Sequence, residues 1–343
     1  MIAQACVDLT FAFVPCGVNS CANIPKEEIV IKPLVGALAL AVPLSVAAQT
    51  WKVPAESQRC PSKWGANDER GSMNHQKPAA VLNATRLIKS GEIIELAHVL
   101  GPQMAFFGTR RFDVHAKRTF MNQFSNMRGS NEEIVVTELG QVGTQFDGFA
   151  HQTHLDSWYN CFKVSENATR SGFSKLGIEK VGMVMTRGVL IDVAGLKGVE
   201  MLPDTYEITV QDLQQALDRQ KVRLQPGDAV LIHTGWGKLY GKDNPRYVKT
   251  CPGVGVAAAE WLAKQDPILV GADNWPVEVA PNPDSQLSLP GHQIFLVVNG
   301  IHLLENLKLD ELAAKKVYEF AFAMQPLKIQ GGSGSTVSPV AIR

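Results

Sequence analysis

Residues Ala229 to Thr234 are almost wholly apolar and follow the turn Pro226-Gly227-Asp228. A short apolar run after such a turn reads as a buried strand. Its neighbours repeat the theme. Val184 to Val193 is strand-like, and Thr209 starts a helix as N-cap, with Asp212 three residues on and Leu213, Ala216 and Leu217 on one face. Val256 to Lys264 reads as helix, and Ile268 to Gly271 as a short strand ending at Asp273-Asn274. Strands separated by helices imply a mixed sheet covered by helices, so the expected fold is a single α/β domain. Further elements are expected as a helix over Lys77 to Lys89 and strands over Ile93 to His98, Ile134 to Leu139, Ile294 to Val298 and Tyr318 to Lys328. Gly331 to Ser335 reads as a loop too rich in glycine for regular structure.

One segment breaks the globular pattern. Leu34 to Ala48 reads LVGALALAVPLSVAA, with Lys32 before it and Gln49-Thr50 after. A positive residue, a short apolar run and a small-residue exit make a secretory signal peptide, and Pro43 with the short length argues against a membrane span. The expected organisation is a leader over residues 1–48, removed on export to the periplasm or medium, and a folded domain over 49–343. A natural start nearer Ile29 than Met1 would suit this.

The 33 basic and 33 acidic side chains balance, which excludes a polyanion binder such as a nucleic-acid protein. No membrane partner is expected once the signal is cleaved. Six cysteines are too few for a disulfide scaffold of this length, and Cys60, Cys161 and Cys251 are those left after the leader. The spacing has no CxxC; buried free thiols are expected, with one bridge at most.

The informative window is Gln141-Val-Gly143-Thr144-Gln145-Phe146-Asp147-Gly-Phe149-Ala-His151. Small residues let the chain turn sharply, so that polar side chains can converge. A second window places His292 after Pro290-Gly291 and Glu305 after the next apolar run. Asp147, His292 and Glu305 together offer two carboxylates and an imidazole, a donor set that suits Zn²⁺ or Mn²⁺. His302 reads as a surface histidine. No Gly-x-Ser-x-Gly elbow exists, which argues against a serine hydrolase.

The Gln141–His151 window resembles the signature of the bacterial cyclase family, which includes kynurenine formamidase and isatin hydrolase: His-x-Gly-Thr-His-x-Asp-x-Pro-x-His. The likeness extends to Trp64-Gly-Ala-Asn-Asp68 with Gly71 and Asn74, to Arg187–Val193, Gly227–Trp236 and Gly271-Ala-Asp273, and to Gly331–Ser335 with Pro339–Ala341. It implies a swivelling β/α fold with a barrel-like mixed sheet, assembled as a homodimer or homotetramer. It implies Gln141, Gln145 and Asp147 as metal ligands alongside His292 and Glu305, and His151 as acid/base. Two family histidines are glutamine here, as in a long-chain branch with Thr-Gln-x-Asp-Gly. An amide oxygen is a weaker donor than imidazole, so metal could be weakly held or absent, with oxygen-seeking ions favoured over zinc.

The expected activity is metal-dependent hydrolysis of an amide or ester bond in a small, cyclic substrate: a lactam, lactone, imide or formamide. Thr144 and the Gly331–Ser335 loop are candidates for binding the developing oxyanion. Phe146, Phe149, Trp158 and Tyr159 are candidates for an aromatic substrate wall. The rival readings are a non-catalytic small-molecule binding protein on a degenerate scaffold, and a metal-free lyase or cyclase.

Overall fold

In the computed structural model, four parallel strands, Val184–Asp192, Ala229–His233, Leu269–Ala272 and His302–Glu305, lie side by side in that order. Successive side chains of a strand point to opposite faces. Val189, Ile191, Val230, Ile232, Val270 and Leu303 therefore enter one core, while Leu190, Leu231, Leu269 and Leu304 enter another. Both faces are covered, which is why the Ala229 strand carries no polar alternation. The structure describes residues 50–343 except residue 123. The expected leader over 1–48 lies outside the described residues.

Antiparallel strands flank the parallel four. Glu319–Met324, Val340–Ile342 and Ile93–Glu95 extend one side; Gln145–Asp147 and Gly334–Thr336 extend the other, completing nine strands. The sheet must curl. Gly334–Thr336 ends one edge and Val340–Ile342 lies seven strand spacings away, which is about 34 Å across a flat sheet. The chain between Thr336 and Val340 can span at most about 14 Å. The two edges are thus drawn together, as the barrel-like expectation required, and the fold is a mixed α/β domain.

The helix expected from Thr209 forms over Val210–Gln220, with Thr209 and Asp212 exchanging the two bonds of a capping box. Val256–Lys264 is helical as expected. The helix near Lys77 is shorter, Pro78–Thr85. Two expectations fail. Ile294 to Val298 is no strand but part of a wide-turned π-helix, Gln293–Asn299. A short apolar run has no period to tell the two apart when the element is buried all round. The glycine-rich end is partly a strand: Gly334–Thr336 pairs with Gln145–Asp147. There, a Cβ on Gly334 would lie 2.9 Å from both the Gly140 and Phe146 carbonyl oxygens, so only glycine permits the approach.

The expected strand near Ile134 belongs to a two-stranded ribbon, Phe112–Met121 with Gly129–Thr137, outside the main sheet and largely exposed along its second strand. Among the described residues, no helix is long and apolar enough to cross a membrane.

Cys60 and Cys161 form a disulfide, and Cys251 is free and buried. The bridge is the one pair that the expectation allowed; it corrects the reading of Cys60 and Cys161 as free thiols, while Cys251 is buried and free as expected. It belongs to a clamp in which Asn160 Nδ2 donates to the Gly65, Ala66 and Asp68 carbonyls. The Tyr159 hydroxyl donates to Asp68 Oδ2 (2.7 Å), which also accepts from the Gly71 amide (2.8 Å).

Candidate metal centre

The signature strand Gln145–Asp147 lies between His302–Glu305 and Gly334–Thr336. Its period of two sends Gln145 and Asp147 to one face and Phe146 to the other. Glu305, at the end of its own strand, pairs across from Gln145, so the residues meet at the carboxyl end of the parallel strands. His292 comes from the short helix ahead of the π-helix, and His151 from the turn after the signature strand, where its amide donates to the Gly148 carbonyl (3.0 Å).

Four side-chain atoms converge there. His292 Nε2 is 3.3 Å from Glu305 Oε1 and 3.8 Å from Asp147 Oδ2, and His151 Nε2 is 3.7 Å from Asp147 Oδ2. Asp147 is fully buried, and Glu305 and His292 are each 3% exposed. Yet among the described residues Asp147 Oδ2 and Glu305 Oε1 have no hydrogen-bond partner. Buried acceptors are rarely left unpaired, and two unpaired carboxylate oxygens beside two imidazoles fit a divalent cation. Asp147, His151 and His292 each offer an atom close enough to share one ion.

The remaining oxygens are committed. Gln145 Nε2 donates to Glu305 Oε2 (2.7 Å) and Gln141 Nε2 donates to Asp147 Oδ1 (3.2 Å). An amide beside a carboxylate must present its NH₂, because two oxygens would repel. Here Gln141 and Gln145 orient the carboxylates, where ligation had been expected of them. Glu278, which sequence reasoning missed, holds His292: its Oε1 accepts from Nδ1 (2.7 Å) and from the His292 amide (2.9 Å). That fixes the tautomer and turns Nε2 toward the carboxylates.

Charge in this pocket is shared with protons. Burial, with the Asp147 carboxylate close by, raises the Glu305 pKa. Burial pulls the His292 pKa down, but the bond to Glu278 and the charge of Glu305 beside it outweigh this and hold it well above the ordinary value. Burial lowers the His151 pKa against the pull of Asp147, helped by His292 and Arg110.

A cavity of about 190 Å³ opens onto the cluster, lined by His151, Gln141, Gln145, His292 and Glu305 below and by Phe107, Arg110, Tyr247 and Trp275 among others. The expected aromatic wall lies elsewhere. Phe146 packs in the core beneath the sheet, and Trp158 is buried against Phe173. Phe149 stacks on His302 (4.0 Å between centroids) and against Tyr159, the clamp residue. His302 is no surface residue: it is 1% exposed, its Nδ1 bonds the Asp147 carbonyl (2.9 Å), and burial drops its pKa to about 4. Thr144 is also spent, its hydroxyl donating to the Asn306 carbonyl (2.6 Å) and accepting from the His98 amide (3.0 Å). The glycine-rich segment buttresses the signature from outside, as the Ser333 carbonyl accepts from the Gly148 amide.

A family model described as a putative cyclase matches residues 94–279. A solved structure described as a novel cyclase is 30% identical, covering 82% of this chain and 98% of its own, with a TM-score of 0.74. Isatin hydrolase A from Ralstonia solanacearum is 21% identical over 77% of this chain and 95% of its own, with a TM-score of 0.54. An isatin hydrolase bound to the product analogue thioisatinate is 18% identical over 77% and 94%, with a TM-score of 0.51; these two likenesses are of fold. No curated protein matches the chain. With the model spanning more than half of its length and the 30%-identical structure covered almost end to end, the chain belongs to the cyclase family.

Proposed function

We propose that the protein is a divalent-metal hydrolase that opens an amide or ester bond in a small, cyclic substrate. The observation that supports it most is the pair of buried, unpartnered carboxylate oxygens on Asp147 and Glu305, facing His292 and His151 at the floor of a cavity. Asp147, His292 and Glu305 would hold the ion, and the oxygen-rich set suits Mn²⁺ as well as Zn²⁺. A bound divalent ion supplies electrophilic assistance, acidifying water and polarising a carbonyl.

The chain's own residues do the rest. Glu278 keeps the His292 Nε2 lone pair unprotonated and aimed inward once a cation replaces the proton. Gln141 and Gln145 fix the carboxylate rotamers. His151, its pKa depressed by burial, is neutral at neutral pH and borders the cavity. Its Nε2 can take a proton from water and return it to the leaving nitrogen or oxygen, a role worth about 10²–10⁴ in rate. The Cys60–Cys161 bridge supports an oxidising compartment, consistent with export directed by residues 1–48.

The test combines elemental analysis with hydrolysis of a lactam, lactone, imide and formamide panel. Near-stoichiometric metal and turnover of at least one substrate are expected, with His151→Ala retaining metal and losing about 10²–10⁴ in kcat. A metal-free protein with full activity would remove the reading.

A further inference from the structure

Arg110 stands at the cavity without an ionic partner. Among the described residues, no carboxylate lies within ion-pair distance of its guanidinium, Asp113 pairing with Arg111 instead (3.3 Å), and one donor, Nη1, is used on the Gln141 carbonyl (3.1 Å). The acidic residue whose titration it influences, Glu138, accepts instead from the Arg111 amide. A guanidinium carries five N–H donors in a rigid fork, so the greater part of this one is unspent. Its position is fixed twice, by the Gln141 carbonyl that ties it to the signature and by the Phe107 ring beneath it, 5.8 Å from the guanidinium carbon.

Phe107 is 45% exposed, unusual for so large an apolar ring, and stacks on Trp275 at 4.7 Å between centroids. Both rings line the same cavity as Arg110, with Tyr247, Val248 and Leu289 adding apolar surface. The walls therefore offer a flat apolar face beside an unpaired fork of cationic donors, and the floor offers the carboxylate–imidazole cluster.

Resting on the hydrolase reading, we propose that the substrate carries an anionic carboxylate, bound by Arg110, on an apolar or aromatic body held against Phe107 and Trp275. A neutral amide or ester of the same shape would leave the guanidinium unmatched in a partly desolvated site, which costs binding.

The test is calorimetric titration of the protein as purified with benzoate and with benzyl alcohol, a neutral ligand of similar size. Wild type, Arg110→Lys and Arg110→Gln are compared. Wild type should bind benzoate at least about ten-fold more tightly than benzyl alcohol. Arg110→Gln should weaken benzoate by about 10–100-fold, the worth of a charged hydrogen-bond pair. Benzyl alcohol should stay within about two-fold, and Arg110→Lys should recover part of the loss, as a point charge does without the fork. Absent benzoate binding, equal binding of the two ligands by wild type, or equal weakening of both by Arg110→Gln would each overturn the proposal. Benzoate drawn only to a bound cation would be insensitive to Arg110 and would overturn it as well. Because the readout needs no turnover, discrimination without hydrolysis removes only the hydrolase reading, and hydrolysis without discrimination removes only the carboxylate.

Discussion

Two buried histidines in this molecule have nearly the same surroundings on paper. His292 has Nδ1 on Glu278 at 2.7 Å, with Glu305 and Asp147 at 3.3 and 3.8 Å from Nε2. His233, at the end of the Ala229 strand, has Nδ1 on Asp192 at 2.7 Å, with Asp310 and Asp273 at 3.7 and 3.9 Å from Nε2. The difference lies in what else the carboxylates do. Both oxygens of Asp273 are taken by the Thr234 amide and hydroxyl and the Gly235 amide, which leaves Asp310 Oδ1 as the one unbonded carboxylate oxygen facing His233 among the described residues. At His292, two carboxylate oxygens stay unpaired, a second imidazole arrives and a cavity opens. A histidine among three carboxylates thus makes a structural ion pair where one carboxylate is saturated, and a candidate metal site where both facing carboxylates stay open to a second imidazole and a cavity.

The widest separation between the two clusters should come from removing one carboxylate charge in each. Asp147→Asn deletes a charge that disfavours its neighbour Glu305, so the metal-free fold should melt at the same temperature or higher. Metal content should fall below detection and hydrolysis with it. Asp192→Asn breaks a buried pair and weakens the cap that Asp192 gives the Gly195 amide, so it should cost about 3–5 kcal/mol while metal content holds. Denaturation midpoints and elemental analysis read both. Equal destabilisation by the two variants would erase the distinction.

An effect confined to a pH window follows from His233 alone. Burial works against its charge, but the bond to Asp192 and the nearby carboxylates of Asp310 and Asp273 raise its pKa to about 10. Its unfolded value is about 6.5. The imidazolium therefore stabilises the fold in full below about pH 6.5, and the contribution drains away as pH climbs through about 10. The shift corresponds to about 3–5 kcal/mol. Wild type should lose stability across that window relative to His233→Asn, as urea midpoints at successive pH values would show. Parallel curves for the two proteins would mean that His233 carries no such charge.

The sequence disclosed the two clusters unequally. The capped helix at Thr209, the Ala229 strand and the alternation of strands with helices were legible because periodicity and turn chemistry are local. Asp147, His292 and Glu305 were legible through motif spacing, and the structure brings them together. Glu278 and Arg110 were not, since neither sits in a motif and each acquires meaning only from an atom far along the chain, His292 Nδ1 or the Gln141 carbonyl. The aromatic wall was misplaced for a related reason. Proximity in sequence put Phe146 beside the signature, but the pleat turned it to the opposite face, and Trp275, more than a hundred residues on, took the position. The pairing of Asp273, the second imidazole and the cavity, which separate His233 from His292, are properties of the assembled fold and leave no local trace.

The finest test concerns the glutamines, where family resemblance alone implies ligands and the geometry assigns donors. If Gln145 ligates through its amide oxygen, Gln145→Leu removes one bond to the ion and leaves Glu305 untouched. If it acts through Nε2, the same change leaves Glu305 Oε2 buried without its donor, and the carboxylate holds its proton more tightly. A cation must then displace that proton to bind. The donor role predicts metal affinity weakened about ten-fold at pH 7, the worth of one charged hydrogen bond, with most of the loss recovered by pH 9 as Glu305 ionises. A ligand role predicts a loss that persists at pH 9. Competition with a chromophoric chelator at the two pH values separates them. A pH-independent deficit would return Gln145 to the coordination sphere, leaving Gln141 as the carboxylate's amide donor in this cluster, a feature for which His233 has no counterpart among its bonds.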